Sequence, residues 1–324
     1  MKSVLSIQSH VAHGYVGGKA AVFPLQTQGW EVDNVNTVNF SNHTGYGTYK
    51  GSPISSADLS SIFHGLDAIQ VQYDAVLSGY IPNAELIDEV ARYVKRVKSH
   101  KPKTVYLFDP VMGDQGFLYV SESCVARYRQ LLSEHIIDII TPNQFELELL
   151  CGFKISSNDD LRSAVRMLHD EYHIKYVVIS SLDGDADHLR CAVSAYNDPA
   201  INEFQIPIIK SYFTGVGDLF SALLLDKFYT YIENDDTSIH TLSAAVNTAL
   251  TITQKVLILT HELGVKAFAK AEGYSIDQPV GIINDAATMK YFELKVIQAK
   301  DFYSIKDGTF KCYSVHPGSV SHHR

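Results

Sequence analysis

Short apolar runs alternate with amphipathic stretches through the first half of the chain. "VLSIQ" (4–8), "AVLSGY" (75–80), "VYLFDP" (105–110), "IIDIITP" (136–142) and "YVVISS" (176–181) read as buried strands. Between them lie helical patterns. In 83–99, Leu86, Val90, Val94 and Val97 recur at spacings that put them on one helix face. Strand–helix alternation of this kind predicts an α/β fold with a mostly parallel sheet covered on both faces. Further on the pattern changes. Two runs flanking Asp198 and Pro199 predict a hairpin, and helices are expected over 216–231 and 239–259. A tail from Gly264 mixes Gly and Pro, with one further helix expected near 286–299. The polar, Gly-rich stretch 34–51 is too long for a plain turn and predicts a loop or flap over a site. With no repeat and no linker, the simplest organisation is one domain over 1–324, with 264–324 as a C-terminal extension packed on it.

Ligands of open parallel sheets bind beyond the carboxyl ends of the strands. The residues that follow each apolar run therefore matter together. They are Ser9, Tyr80, Asp109, Thr141 with Asn143, and Ser180 with Ser181. Singly each is turn chemistry; jointly they predict one polar rim. "DPVMGDQG" adds Asp114 to Asp109. Two acids in such a loop can hold Mg²⁺, directly or through water, or can bond nearby backbone amides. "TPNQFELELL" predicts a helix start with Thr141 as N-cap, Pro142 at N1 and Gln144 completing a capping box. Glu146 then shares a face with Asn143 and points at the rim, within reach of a metal's water, with phosphates near Asn143.

The stretch "FTGVGDLFSALLL" places Asp218 directly after Gly215-Val216-Gly217 and before an apolar helix. A glycine turn opening a helix is a nest for anions. An acid there repels phosphate unless a hydroxyl comes between them. That combination suits a general base taking the proton of an attacking alcohol, while the nest collects charge on the transferring phosphoryl group. A simple N-cap would explain the acid alone. It would not explain the glycines, the two-acid loop and the Asn–Glu turn, which together point to a small-molecule kinase.

Composition narrows the alternatives. The 324 residues are 46% hydrophobic and carry a net charge of −9 without a basic run, so nucleic-acid binding is not expected. Four scattered cysteines fit a reducing compartment. No stretch of about 18 uninterrupted apolar residues predicts a membrane span, and the opening "MKSVLSIQSHV" lacks a signal peptide's apolar core. Two motifs mislead. "HGYVGGKAA" lacks the Walker glycine at His13 and the Ser or Thr at Ala20, so its glycines are expected to let a loop and helix pack closely. "HDEYH" (169–173) lacks a metalloprotease glutamate and reads as a solvated helix end; His10 and His13 read as polar loop residues.

The Gly-x-Gly-Asp helix start, Asn143-x-x-Glu146 and "DPVMGD" resemble the ribokinase-like superfamily. "SIQSHV", "FSNHTGY" (40–46), "LSGY" and "DIITPNQFELELL" resemble its pyridoxal kinase family, and "ELKVIQA" (293–299) is similar to that family's closing helix. The resemblance implies a three-layer α/β/α sandwich and ATP-dependent phosphorylation of the hydroxymethyl group of pyridoxal, pyridoxine and pyridoxamine. It implies Asp218 as base with Gly215 and Gly217 beside it. It implies Ser9, Thr44 and Tyr80 around the vitamin, and Asp109, Thr141, Asn143, Ser181, Val216 and Gly217 around ATP. Asp114 and Glu146 would serve Mg²⁺, with K⁺ near Thr141. A cytoplasmic homodimer, with the nucleus as a second compartment, is implied as well. Many relatives carry Thr where this chain has Val216, and Thr214 is the expected substitute. The stretch 264–283 is longer than usual. The competing readings are a hydroxymethylpyrimidine or sugar kinase of the same superfamily, and a non-catalytic vitamin B6 binder.

Overall fold

The computed structural model describes residues 1–114, 116–273 and 280–315. In chain order the elements are β1 (Lys2–Val11), α1 (Gly18–Thr27), β2 (Trp30–Phe40), β3 (Gly51–Pro53), α2 (Ser56–Ala68), β4 (Ala75–Ser78), α3 (Ala84–His100) and β5 (Val105–Phe108). A small hairpin of β6 (Gly113–Asp114) and β7 (Phe117–Leu118) follows, then α4 (Glu122–Leu132), β8 (Ile139–Ile140), α5 (Gln144–Cys151) and α6 (Asn158–Arg166). The chain continues through β9 (Tyr176–Leu182), β10 (His188–Ala195), β11 (Ile201–Pro207), α7 (Val216–Glu233), α8 (Ile239–Glu272), α9 (Ala286–Met289) and β12 (Cys312–Val315).

Ten strands form one sheet in the order β12-β11-β10-β9-β8-β5-β4-β1-β2-β3. Its middle, from β2 through β1, β4, β5 and β8 to β9, is parallel. Both edges are antiparallel additions. The central strands read as unbroken apolar runs because both faces are covered. Alternate side chains still part ways: Tyr106 and Phe108 enter the layer of α2 to α6, while Val105 and Leu107 face α1, α7 and α8. The result is the three-layer α/β/α sandwich. Strand order reverses between β1 and β4, which opens a crevice at their carboxyl ends.

Several local expectations change. Residues 34–40 belong to β2, a full strand beside β1, so only 41–50 is loop. The helix expected over 239–259 runs on through Gly264 to Glu272 and stops at a left-handed Gly273. Its most apolar 18-residue window is hydrophobic enough to cross a membrane, but 61% of that window is buried inside the protein. Of the helix expected over 286–299, only the four residues of α9 are helical. Residues 293–299 form turns whose Leu294, Val296 and Ala299 sink into the core. Parts of the stretch 264–283 and of the tail, at 274–279 and 316–324, lie outside the described residues. His169 is buried, with its ring nitrogens on Ile174 O (2.6 Å) and Ser194 Oγ (2.9 Å), so "HDEYH" is no solvated helix end. His10 sits in β1 rather than in a loop.

Candidate active site

At the carboxyl ends of the parallel strands lies a cavity of about 510 Å³. Ser9, Tyr80, Asp109, Thr141, Asn143, Ser180 and Ser181 all line it, because parallel strands deliver their ends to one edge. Thr44, Asp114, Glu146, Thr214, Gly215, Val216, Gly217 and Asp218 line it too. Thus every residue singled out in the sequence as a site candidate faces the same space.

Helix α7 opens on this cavity. Its N-cap is Gly215 in the left-handed conformation (φ 80°), and no side chain caps the helix. A Cβ at Gly215 would stand 2.1 Å from Tyr15 O, so only glycine fits. The N–H groups of Val216, Gly217 and Asp218, first in the helix, have no carbonyl one turn back to bond. Asp218 is therefore not the cap. Its Oδ2 instead accepts the backbone N–H of Gly17 at 2.7 Å, across 201 residues of sequence. Gly17 is itself irreplaceable: at φ 53° its Cβ would meet Ser9 O at 2.1 Å. The glycines of "HGYVGGKAA" do permit close packing, and one of them also fixes the acid. Burial of the Asp218 carboxyl raises its pKa above the usual range, and the Gly17 N–H opposes that rise.

Three more carboxylates surround the crevice. Asp109, 4% exposed, accepts Ser221 Oγ–H at 3.1 Å, and Ser221 Oγ is 3.1 Å from Thr141 Oγ1. Its pKa stands well above the ordinary value through burial first, then the charges of Glu146 and Asp218. Glu146 is pushed up to about 8 by burial, against backbone N–H groups that favour its charge; nearby Asp114 adds to the rise. The helix start differs from the sequence expectation. Asn143, not Thr141, is the N-cap of α5, and Glu146, not Gln144, is N3. Asn143 Oδ1 accepts Glu146 N–H at 2.8 Å and Glu146 Oε2 accepts Asn143 N–H at 2.9 Å, a complete capping box. Glu146 Oε1 accepts Met112 N–H at 2.9 Å, and Asn143 Nδ2 donates to Gly113 O at 2.8 Å. The box thereby ties α5 to the loop that carries Asp114.

Among the described residues, no three His, Cys, Asp or Glu side chains converge as a metal cage. Glu146 spends both oxygens on backbone donors. This donor set fits a Mg²⁺ that arrives with phosphates and keeps several waters, and not an all-protein site. Crowded carboxylates with raised pKa values are the electrostatic setting such a cation relieves.

The cavity's other contributors have weaker sequence signals. His43 lines the wall beside Thr44 and caps the short turn 44–46, its Nδ1 accepting Gly45 N–H at 3.0 Å. Burial holds its pKa down to about 4, so it is neutral with its proton on Nε2. Its one sequence signal is its place in "FSNHTGY", beside Thr44. Tyr119 and Tyr212 line the wall near Asp114, and Leu189, Ile206, Leu250 and Leu257 form an apolar flank. No local motif announces any of these.

The sequence model of phosphomethylpyrimidine kinase matches residues 43–266. The BUD16 protein of Saccharomyces cerevisiae is 42% identical over 312 residues, spanning 94% of this chain and 95% of its own. The pyridoxal kinase of Arabidopsis thaliana is 42% identical over 236 residues, 72% of this chain and 76% of that one. The structure of Leishmania donovani pyridoxal kinase in complex with ADP and pyridoxamine superposes with a TM-score of 0.81 at 32% identity, over 97% of this chain and 100% of that one. With the sandwich, the strand-end cavity and the helix-mouth aspartate already in place, these likenesses show that the chain belongs to the pyridoxal kinase family of the ribokinase-like superfamily.

Proposed function

We propose that Asp218 is the general base that activates the 5′-hydroxymethyl group of pyridoxal for attack on ATP. The enzyme transfers the terminal phosphoryl group of ATP to B6 vitamers, as its family membership establishes. In the proposed step the vitamin's O–H bond breaks and its proton goes to an Asp218 carboxylate oxygen. The new O–P bond forms at the γ-phosphorus, and the bridging P–O bond breaks to release ADP. The amides at the start of α7 take up charge on the transferring group, where stabilisation raises the rate. The observation that carries this reading is the placement of Asp218. Its carboxylate is held by Gly17 N–H at 2.7 Å beside free helix-start amides, inside the strand-end cavity of about 510 Å³.

Ser9, Thr44 and Tyr80 bind the vitamin at the β1–β4 end; Asp109, Thr141, Asn143, Ser181, Val216 and Gly217 bind ATP in this reading. Asp114 and Glu146 would serve Mg²⁺ through water, and the ion would supply neutralisation of phosphate charge. K⁺ near Thr141 is supported by the neutral oxygens of Thr141 and Ser221. A cytoplasmic homodimer, with the nucleus as a second compartment, rests on the family resemblance alone, and light scattering tests the dimer.

A crystal soaked with a non-hydrolysable ATP analogue and pyridoxal tests the core of the reading. The expected result is the vitamin's CH₂OH within hydrogen-bond distance of Asp218 (about 2.6–3.2 Å). An oxygen well out of reach, with no closure bringing the two together, would sink it. Turnover compared on pyridoxal, hydroxymethylpyrimidine and ribose separates the superfamily alternatives; pyridoxal is expected to be preferred.

A further inference from the structure

Glu293 lies beyond the span matched by the family sequence model, in a stretch that is neither helix nor strand, and yet is only 5% exposed. Burying a carboxylate is unfavourable unless strong donors meet it. Two do. Oε1 accepts the Tyr46 O–H at 2.6 Å, and Oε2 accepts the Tyr15 backbone N–H at 3.0 Å. The two donors belong to different halves of the site. Tyr46 closes the 44–46 turn, whose neighbours His43 and Thr44 line the vitamin end. Tyr15 lies two residues before Gly17, whose N–H holds Asp218. The Tyr15 carbonyl also abuts Gly215 at the mouth of α7.

The segment around Glu293 reinforces the link, since Asn284 N–H donates to Gly45 O at 2.8 Å. A plain structural tie between two loops needs no charge. Charge-assisted bonds are shorter and stronger than neutral ones, which suits a part that holds two loops at a fixed separation. The Tyr46 hydroxyl is correspondingly hard to ionise, through burial and the adjacent carboxylate.

We propose that Glu293 is a positioning residue for phosphoryl transfer. Its carboxylate locks the vitamin-binding turn to the loop that aligns Asp218, so that vitamin seating and base alignment are coupled. The proposal rests on the reading of Asp218 as the base.

The test compares Glu293→Ala, Tyr46→Phe and Glu293→Gln in the full chain. Alanine cuts both ties. Phenylalanine cuts only the vitamin-side tie. Glutamine keeps two polar ends, one accepting from Tyr15 N–H and the other donating to the Tyr46 oxygen. Steady-state kinetics, direct pyridoxal binding and thermal melting are measured for each. Glu293→Ala is expected to lower kcat/KM for pyridoxal about 10- to 100-fold, the scale of a small misplacement in an active site. Tyr46→Phe should fall between alanine and wild type, with Glu293→Gln nearest wild type and KM for ATP unchanged in all three. If Glu293→Ala does not fold, Tyr46→Phe and Glu293→Gln carry the comparison. Folded variants that melt lower but keep the wild-type pyridoxal KM and kcat overturn the proposal, because a purely structural role moves only the melting temperature. Equal rises in the KM for both substrates overturn it as well. Asp218→Asn is assayed alongside. Full turnover there would remove the base assignment itself, whereas its loss beside silent Glu293 variants would remove the positioning role alone.

Discussion

The two ends of the cavity differ in how far polar groups interrupt an apolar wall. Around β1, β2 and β4, the polar Ser9, His43, Thr44 and Tyr80, each at a strand end or in the adjoining turn, stand among the apolar Val11, Val16, Val38 and Phe40. Toward β10, β11 and α8, the walls are Leu189, Ile206, Leu250 and Leu257, with Thr253 and Gln254 at the margin. The first end recognises by direction, since a hydrogen bond fails when its partner shifts. The second recognises by area, which is roughly additive and indifferent to which side chain supplies it. Asp218 stands at the mouth of α7, against Gly17 and Gly79. In the proposed reading the first end takes the vitamin, and the second offers a slot for the flat surface of a nucleobase.

The largest effect is expected from disabling Asp218 while leaving both ends whole. Asp218→Asn keeps the side chain's shape and an oxygen for the Gly17 N–H. Pyridoxal and nucleotide binding should survive, while kcat falls about 10²- to 10⁴-fold, the usual worth of a general base. Binding measured by calorimetry beside turnover decides it; wild-type kcat would remove Asp218 from the chemistry. Next in size is Glu146→Gln. One amide oxygen cannot accept from both Met112 N–H and Asn143 N–H, and the charge that the proposed function sets toward the metal and phosphates is gone. The Mg²⁺ concentration for half-maximal activity should rise about 10- to 100-fold, as for lost outer-shell partners of a metal. A titration with unchanged Mg²⁺ response would show that Glu146 serves only the capping box.

The same division governs what could be read from sequence. The central strands, the α3 face and the polar rim were legible because each rests on local signals: an apolar run, a four-residue repeat, a polar residue at a run's end. Asp218 was legible because glycine, glycine and acid sit within four positions. The apolar slot was not, since a leucine in α8 that lines a cavity looks like a leucine in any core helix. Tertiary pairing hid the rest. Residues 34–40 look like a loop by composition, yet β1 beside them supplies the ladder that makes them a strand. The Asn143 cap won over Thr141 because Asn143 and Glu146 can satisfy each other's amides, a reciprocity that favours their spacing over that of Thr141 and Gln144. The link from Gly17 to Asp218 spans 201 residues, beyond any local motif.

A milder pair of changes sharpens the contrast between the ends. Thr44→Val preserves shape and deletes one hydroxyl at the directional end; KM for pyridoxal should rise about 3- to 10-fold, near 1 kcal/mol, with KM for ATP unmoved. Leu257→Ala trims the apolar wall, and its burden should fall on ATP instead, again about 1 kcal/mol, with pyridoxal KM unmoved. Crossed effects, each substitution acting on the other substrate, would mean that the ends have been assigned the wrong way round.

The smallest effect separates the ends by pH. His43 belongs to the directional end, and burial lowers its pKa from 6.5 to about 4. The unfolded chain therefore binds a proton there more readily than the folded one. Between those two values acid favours the unfolded state, so the contribution of His43 to stability is intact above about pH 6.5 and is lost as pH falls toward 4. His43→Asn supplies an oxygen for the Gly45 N–H and has no proton to gain. Melting temperatures of wild type and His43→Asn, followed from pH 7.5 down to 4.5, should keep a constant offset at the neutral end. The wild-type curve should then fall by a few degrees relative to the variant as the pH drops below about 6. Parallel curves throughout would mean that the imidazole titrates alike in both states and is open to water. In that case His43 would not hold a fixed neutral Nε2–H in the cavity wall, and recognition at this end would rest on its hydroxyls alone.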